Sequence, residues 1–253
     1  MKRTISAILA AAACALCLRG VSAADPVTNI VLVHGAWADG SSWSKVIPLL
    51  QAKGYNVVSV QNPLSSLADD VAATKRAIAQ QNGPVVLVGH SWAGMVISEA
   101  GNDPKVAALV FISALVPDKG QTAANAQQGY PASPGLAEAK PDAAGWLWMS
   151  RKGVNEDFVP GLAAGEQGLA YATQGPWNTA ALNEQVPSPA WLTKPSWLIV
   201  DTNDRMISPQ YEADSAQRIK ATTTTLPAGH VPMLSMPDKV AAVIIDAANH
   251  AAK

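Results

Sequence analysis

Val85-Val86-Leu87-Val88-Gly89-His90-Ser91-Trp92-Ala93-Gly94 is an apolar run that ends in a turn of small residues and passes straight into helical spacing. Apolar residues without polar alternation read as a strand buried on both faces, and the stretch Ser91–Gly101 reads as a helix. A serine on so sharp a strand-to-helix turn requires small residues two places before and two places after it. Gly89 and Ala93 meet that demand, with alanine standing where the G-x-S-x-G pattern has its second glycine. Ser91 is therefore a candidate nucleophile. The plainer reading of the same residue is a helix N-cap.

Similar units lie on either side. Asn29–Val33 and Tyr55–Val60 read as strands, and Ser42–Lys53 as a helix with Trp43, Val46, Ile47 and Leu50 on one face and Gly54 as its stop. Leu67–Gln81 reads as a helix, Ala108–Ser113, Trp197–Val200 and Thr223–Leu226 as strands, and Asp238–Ala248 as a closing helix. Strands alternating with helices predict an α/β protein, a mostly parallel sheet covered by helices on both faces. Residues 24–116 and 195–253 form its expected core. Residues 117–194 lack clear strand runs, are rich in Ala, Gly and Pro, and hold Tyr130, Trp146, Trp148, Phe158, Tyr171, Trp177 and Trp191. A small helical cap inserted there would sit over the carboxyl ends of the strands, where open α/β sheets bind ligands.

The first residues have a different character. Lys2 and Arg3 precede an apolar run from Ile5 to Leu18, and Val21-Ser22-Ala23 offers small residues for cleavage after Ala23. This is the pattern of a secretory signal peptide over residues 1–23, and its apolar run is shorter than the roughly 20 residues of a spanning helix, so a secreted or periplasmic chain with no stable membrane insertion is expected. The whole chain carries 18 basic and 19 acidic residues. A near-neutral chain without a basic run excludes a nucleic-acid partner as the expectation. Both cysteines, Cys14 and Cys17, fall inside the signal, so the mature chain offers no thiol nucleophile and no thiolate metal site.

A serine hydroxyl needs a base. Of the four histidines, His34 lies in a His-Gly turn at a strand end, His90 adjoins Ser91 but would point away from it, and His250 is on the terminal tail. His230, in the loop after the last expected strand, remains. The orienting carboxylate is assigned to Asp204, with Asp201 as near competitor and Asp118 as a distant one, giving the chain order Ser, Asp, His. The backbone N–H groups of Trp92 and Ala36 are the expected oxyanion donors. Two or three of Trp37, Trp92, Trp146 and Trp148 are expected to touch substrate.

These motifs together resemble the α/β-hydrolase superfamily over nearly all of the mature chain, Val31 to about Ile245. Leu32-Val33-His34-Gly35-Ala36-Trp37, with Trp43, Lys45, Pro48-Leu49-Leu50 and Gly54 behind it, is similar to the small serine carboxylesterase branch, which includes plant methyl-ester esterases, hydroxynitrile lyases and bacterial secreted esterases. Gly229-His230-Val231-Pro232-Met233-Leu234 with Pro237-Asp238 resembles the bacterial members. The resemblance implies hydrolysis of small to medium hydrophobic carboxylic esters through an acyl-enzyme, with no cofactor and no metal. Ser91 departs from the aspartate nucleophile of dehalogenases and epoxide hydrolases. Val231 departs from the lysine that follows the base in hydroxynitrile lyases. Two alternatives stay open: the same triad acting on amide, lactone or perhydrolytic chemistry, and a non-catalytic ligand-binding protein on the same fold.

Overall fold

The computed structural model describes residues 27–251. The signal-peptide assignment falls outside these residues. Among them, no helix is long and apolar enough to cross a membrane.

In chain order the elements are β1 Asn29–Val33, α1 Ile47–Gln51, β2 Asn56–Val60, α2 Leu67–Ala79, β3 Val85–His90, α3 Ala93–Ala100 and β4 Val106–Ile112. There follow α4 Ala123–Ala126, β5 Ala139–Pro141, β6 Trp146–Met149, α5 Arg151–Gly153, α6 Ala164–Ala172 and β7 Trp177–Asn178. The chain ends with β8 Ser196–Asp201, α7 Pro209–Arg218, β9 Thr222–Leu226, α8 Pro232–Ser235 and α9 Pro237–His250.

β1 to β4, β8 and β9 form one sheet in the order β2-β1-β3-β4-β8-β9. Every pairing in it is parallel. β1, β3 and β8 are buried along their whole length, whereas the edge strand β2 is mostly half-buried and β9 mostly exposed. Continuous burial explains why the inner strands carry unbroken apolar runs: helices cover both faces, and no side of the strand is left for polar residues. α2 and α3 pack on one another, and α9 packs on α1 as well as on β3, β4 and β8. The strand order reverses at β1, so the loops leaving β1 and β3 flank a crevice at the carboxyl edge of the sheet, the usual ligand position of such sheets.

Two sequence expectations need correction. Ser42–Lys53 is broken into a 3-10 turn at Gly40–Trp43 and the short α1, because Pro48 fits only the first turn of a helix and so restarts it. The 117–194 segment also contains a three-stranded antiparallel sheet, order β5-β6-β7. Its strands have two to four residues, too short for a period-2 pattern to register.

Candidate active site

The turn from β3 into α3 places Ser91 at φ 56°, in the left-handed region that a non-glycine residue occupies only when its surroundings hold it there. They do so through the backbone: Ser91 N donates to Ile112 O at 3.1 Å, and Ser91 O accepts from Gly94 N at 3.0 Å and Leu115 N at 3.1 Å. A Cβ on Gly89 would lie 2.8 Å from the Ala93 carbonyl oxygen, so this turn closes only around a bare backbone. On the facing loop, a Cβ on Gly35 would lie 2.7 Å from Ser91 Cβ. Glycine there lets the loop after β1 reach the serine.

The strained turn presents the Ser91 hydroxyl to His230. Oγ lies 2.9 Å from Nε2 of His230, and Nδ1 of the same ring lies 2.7 Å from Oδ2 of Asp204. A carboxylate only accepts, so Nδ1 carries the proton and Nε2 accepts from the serine hydroxyl. Asp204 Oδ1 accepts from the backbone N–H groups of Met206 at 2.7 Å and Ile207 at 3.0 Å. All three residues are buried, which shields the chain of hydrogen bonds from competing water.

The competitors are placed elsewhere. Asp201 turns its side chain to Ser113, whose Oγ lies 2.6 Å from Oδ2. Burial pushes this carboxyl up to about 7, with the charge of Asp204 adding to the rise and the Ser113 hydrogen bond opposing it. Asp118 forms a part-exposed ion pair with Arg218. His34 donates from Nδ1 to Gly35 O at 2.9 Å and accepts at Nε2 from Asn62 N at 2.9 Å, so it braces the loop after β1 as a neutral ring. His250 is exposed and reaches only Asp246 on its own helix. His90 points away from the serine side chain, as the elbow requires, but its Nε2 donates to the His230 carbonyl at 2.8 Å and its ring centre is 4.7 Å from that of His230. Burial holds the His90 ring well below the ordinary imidazole range, and hence neutral.

A cavity of about 250 Å³ opens over Ser91. Its lining includes Ala36, Trp37, Trp92, Leu115, Leu147 and Trp177, together with Met206 and Ile207 from the loop that carries Asp204. Among the described residues, the backbone N–H groups of Ala36 and Trp92 donate to no protein acceptor. The Trp177 ring lies 4.9 Å from that of Trp92 and 5.6 Å from that of Trp37, so three indoles form one wall. Each of the two outer rings is anchored: Trp37 Nε1 donates to Leu147 O at 3.0 Å, and Trp92 Nε1 to Asp70 Oδ2 at 2.7 Å. Burial lifts the Asp70 carboxyl to about 6 against the hydrogen bonds it accepts from Trp92 Nε1 and Leu64 N.

Of the expected pocket tryptophans, Trp37 and Trp92 line this cavity. Side chains alternate along a strand, and β6 sends Leu147 inward, leaving Trp146 and Trp148 directed elsewhere. Trp148 is 45% exposed and donates to Asp142. Trp177 was not anticipated; a lone aromatic in the turn Gly175-Pro176-Trp177 gives a sequence little to distinguish it from core. Among the described residues, no cluster of His, Cys, Asp or Glu is arranged to hold a metal ion. A polarised serine beside two free N–H groups in an apolar cavity can attack a carbonyl carbon and receive the negative charge that develops on its oxygen.

A sequence model of the alpha/beta hydrolase family matches residues 30–243. The chain is 25% identical to a pyrethroid hydrolase of Sphingobium wenxiniae over 88% of each chain. A shorter match, 32% identity over 36% of this chain and 40% of the relative, is with salicylic acid-binding protein 2 of Nicotiana tabacum. Among solved structures, a pyrethroid hydrolase from Sphingobium faniae superposes with a TM-score of 0.76 at 25% identity, covering 88% of this chain and 98% of that one.

Proposed function

The chain belongs to the alpha/beta hydrolase family, and from that premise we propose that it is a serine carboxylesterase acting on neutral, apolar esters. The observation that carries this reading is the unbroken relay from Asp204 Oδ2 through His230 to Ser91 Oγ, 2.7 and 2.9 Å, which ends in a cavity walled by three tryptophans.

In this reading Ser91 Oγ attacks the ester carbonyl while its proton passes to His230 Nε2. The carbonyl oxygen takes up the electron pair and is met by the N–H groups of Ala36 and Trp92. Collapse breaks the bond to the alkoxy oxygen, which takes the proton from His230 and leaves as the alcohol. Water then loses a proton to His230 and attacks the acyl carbon; the acid departs as the proton returns to Ser91 Oγ. One ester and one water give one acid and one alcohol. Asp204 holds the imidazole in the required tautomer and faces the positive charge that forms on it.

The substrate class rests on the cavity wall. Three indoles and a set of aliphatic side chains favour an ester with no charge near the reacting carbon, since an ion would lose its hydration there without compensation. The pyrethroid hydrolases that the chain resembles supply the same suggestion by name. The first 23 residues direct the chain out of the cytoplasm in this proposal, and the mass of the mature protein from its native host would test it.

Intact mass after exposure to a fluorophosphonate tests the central point without knowledge of the substrate. One adduct on the native protein and none on Ser91→Ala is expected. No adduct on folded native protein would overturn the reading in favour of a ligand-binding role. Matched ester, amide and lactone probes would then separate the chemistries open to the same residues.

A further inference from the structure

Behind the relay, α7 brings up a carboxyl group that has no role in the steps above. Glu212 is completely buried. Its Oε2 accepts from the Asp201 backbone N–H at 2.7 Å. Its Oε1 has no hydrogen-bond partner that can donate to it among the described residues. Asp204 lies one turn from that N–H, its own N donating to Asp201 O at 3.1 Å, and its carboxyl, itself an acceptor, is the first charge that acts on Glu212. Two carboxylates facing one another in a buried site repel strongly, and one of them must hold a proton.

The donors around each decide which one. Asp204 already receives three hydrogen bonds, from Met206 N, Ile207 N and His230 Nδ1, all of which favour its ionised form. Glu212 receives one. The titratable groups facing Glu212 are Asp204 and Asp201, both from the end of β8 and the loop beyond it, and neither is cationic. Asp201 directs its own side chain to Ser113.

We propose that Glu212 is a neutral carboxylic acid whose Oε1–H donates to Asp204, a positioning residue that helps to fix the carboxylate of the triad. The proposal rests on the reading of Ser91, His230 and Asp204 as the reacting relay. A carboxylate offers about four acceptor positions, and this bond occupies the one that the backbone and the histidine leave open. Because Glu212 donates without bringing a positive charge, Asp204 keeps its full charge for the imidazolium. The direction in which burial and Asp204 push the Glu212 carboxyl, well above the ordinary carboxylate range, agrees with this arrangement.

Two variants separate the proposal from mere packing. Glu212→Gln keeps an acceptor for the Asp201 N–H and a donor for Asp204, but has no ionisable proton. Glu212→Leu fills the space with neither. With para-nitrophenyl butyrate as substrate, Glu212→Leu should lower kcat about ten- to a hundredfold with little change in KM, and Glu212→Gln should recover all but about threefold, on the scale of one charge-assisted hydrogen bond. The rate of fluorophosphonate labelling at Ser91 should follow the same order. Infrared spectra at about pH 8, where an Asp201 carboxyl near 7 is mostly ionised, should show a neutral-acid carbonyl band in the native protein that Glu212→Gln lacks. A Gln variant as slow as Leu, a Leu variant as fast as native, or no band lost in Glu212→Gln would each overturn the proposal. Should Glu212→Leu fail to fold, the rate and band of Glu212→Gln against native decide by themselves. Absence of any Ser91 adduct on native protein would defeat the relay reading and the positioning role with it, while the infrared band would still report separately whether Glu212 is protonated.

Discussion

Gly89–Ala93 and Trp146–Met149 both border the cavity over Ser91, yet they are shaped by different kinds of constraint. The first is closed by its own residues and the end of the adjacent strand: a Cβ on Gly89 would strike the Ala93 carbonyl, and Ser91, at φ 56° between them, bonds to Ile112 O and Leu115 N. The second takes its orientation from a partner far along the chain, through the pairing of Leu147 with Trp177. A one-residue slip in that register would send Trp146 and Trp148 into the cavity and Leu147 out of it. The backbone of the serine turn is thus set chiefly by its own residues, and the shape of the cavity at long range. Changes in the turn should abolish reaction, whereas changes in the cap strands should alter only which substrate fits.

The largest expected effect is on the reacting residues that the serine turn serves. Ser91→Ala and His230→Ala should each reduce kcat by about a millionfold, with their double variant no worse, because residues of one relay act as a unit. Steady-state rates on para-nitrophenyl butyrate measure this. An additive double variant would mean that the two side chains act separately despite their 2.9 Å contact. Next comes the acid. Asp204→Asn should lower kcat by about ten-thousandfold, since an amide in that place favours the wrong imidazole tautomer. A silent Asp204→Asn would detach the carboxylate from the chemistry.

The cap side should respond more weakly and in the other parameter. Trp177→Ala removes the central ring of the three-indole wall and should raise KM about ten- to a hundredfold, while Trp148→Ala should change it less than about twofold, given the scale of a lost buried aromatic contact. If Trp148→Ala had the larger effect, the register of β6 would be other than that seen here.

Those magnitudes follow what could be read from the chain. The parallel core was legible because burial on both faces leaves unbroken apolar runs such as Val85–Val88. Ser91 and the glycine before it were legible because steric closure of a turn restricts residue size at fixed offsets. The other three histidines could be set aside by position, and the structure gives each of them a partner other than the serine side chain. The cap was not legible. β6 reads Trp-Leu-Trp-Met, and nothing in four apolar residues tells which pair faces inward. Glu212 was equally hidden: a polar residue in the helical stretch Pro209–Arg218 looks solvent-facing until the helix docks on β8 and buries it.

The smallest effect on rate is expected where the local reading left a choice open. Asp201 and Asp204 both lie at the carboxyl end of β8, three residues apart, and either could have met His230 on sequence grounds. The structure gives His230 to Asp204 and leaves Asp201 Oδ1 buried with no donor. Asp201→Asn should therefore change kcat less than about threefold, since no hydrogen bond to the relay is lost. Its mark should appear in stability. The Asp201 carboxyl moves from an ordinary 3.8 to about 7 on folding, so across that window the native state holds a proton that the unfolded chain releases. The contribution of this group to stability then falls as pH rises from about 4 to 7, is lowest above 7, and is fully regained only at acid pH. Asparagine carries no charge and escapes that penalty. The gain in Tm of Asp201→Asn over native protein should accordingly be small near pH 4 and grow to several degrees near pH 8, the size expected of a few kcal/mol in a chain of this length. Thermal melts of both proteins across that range measure it. A gain that stayed constant with pH would show that Asp201 is ionised throughout, and would place in the Ser113 contact a hydrogen bond strong enough to hold a bare carboxylate in the core.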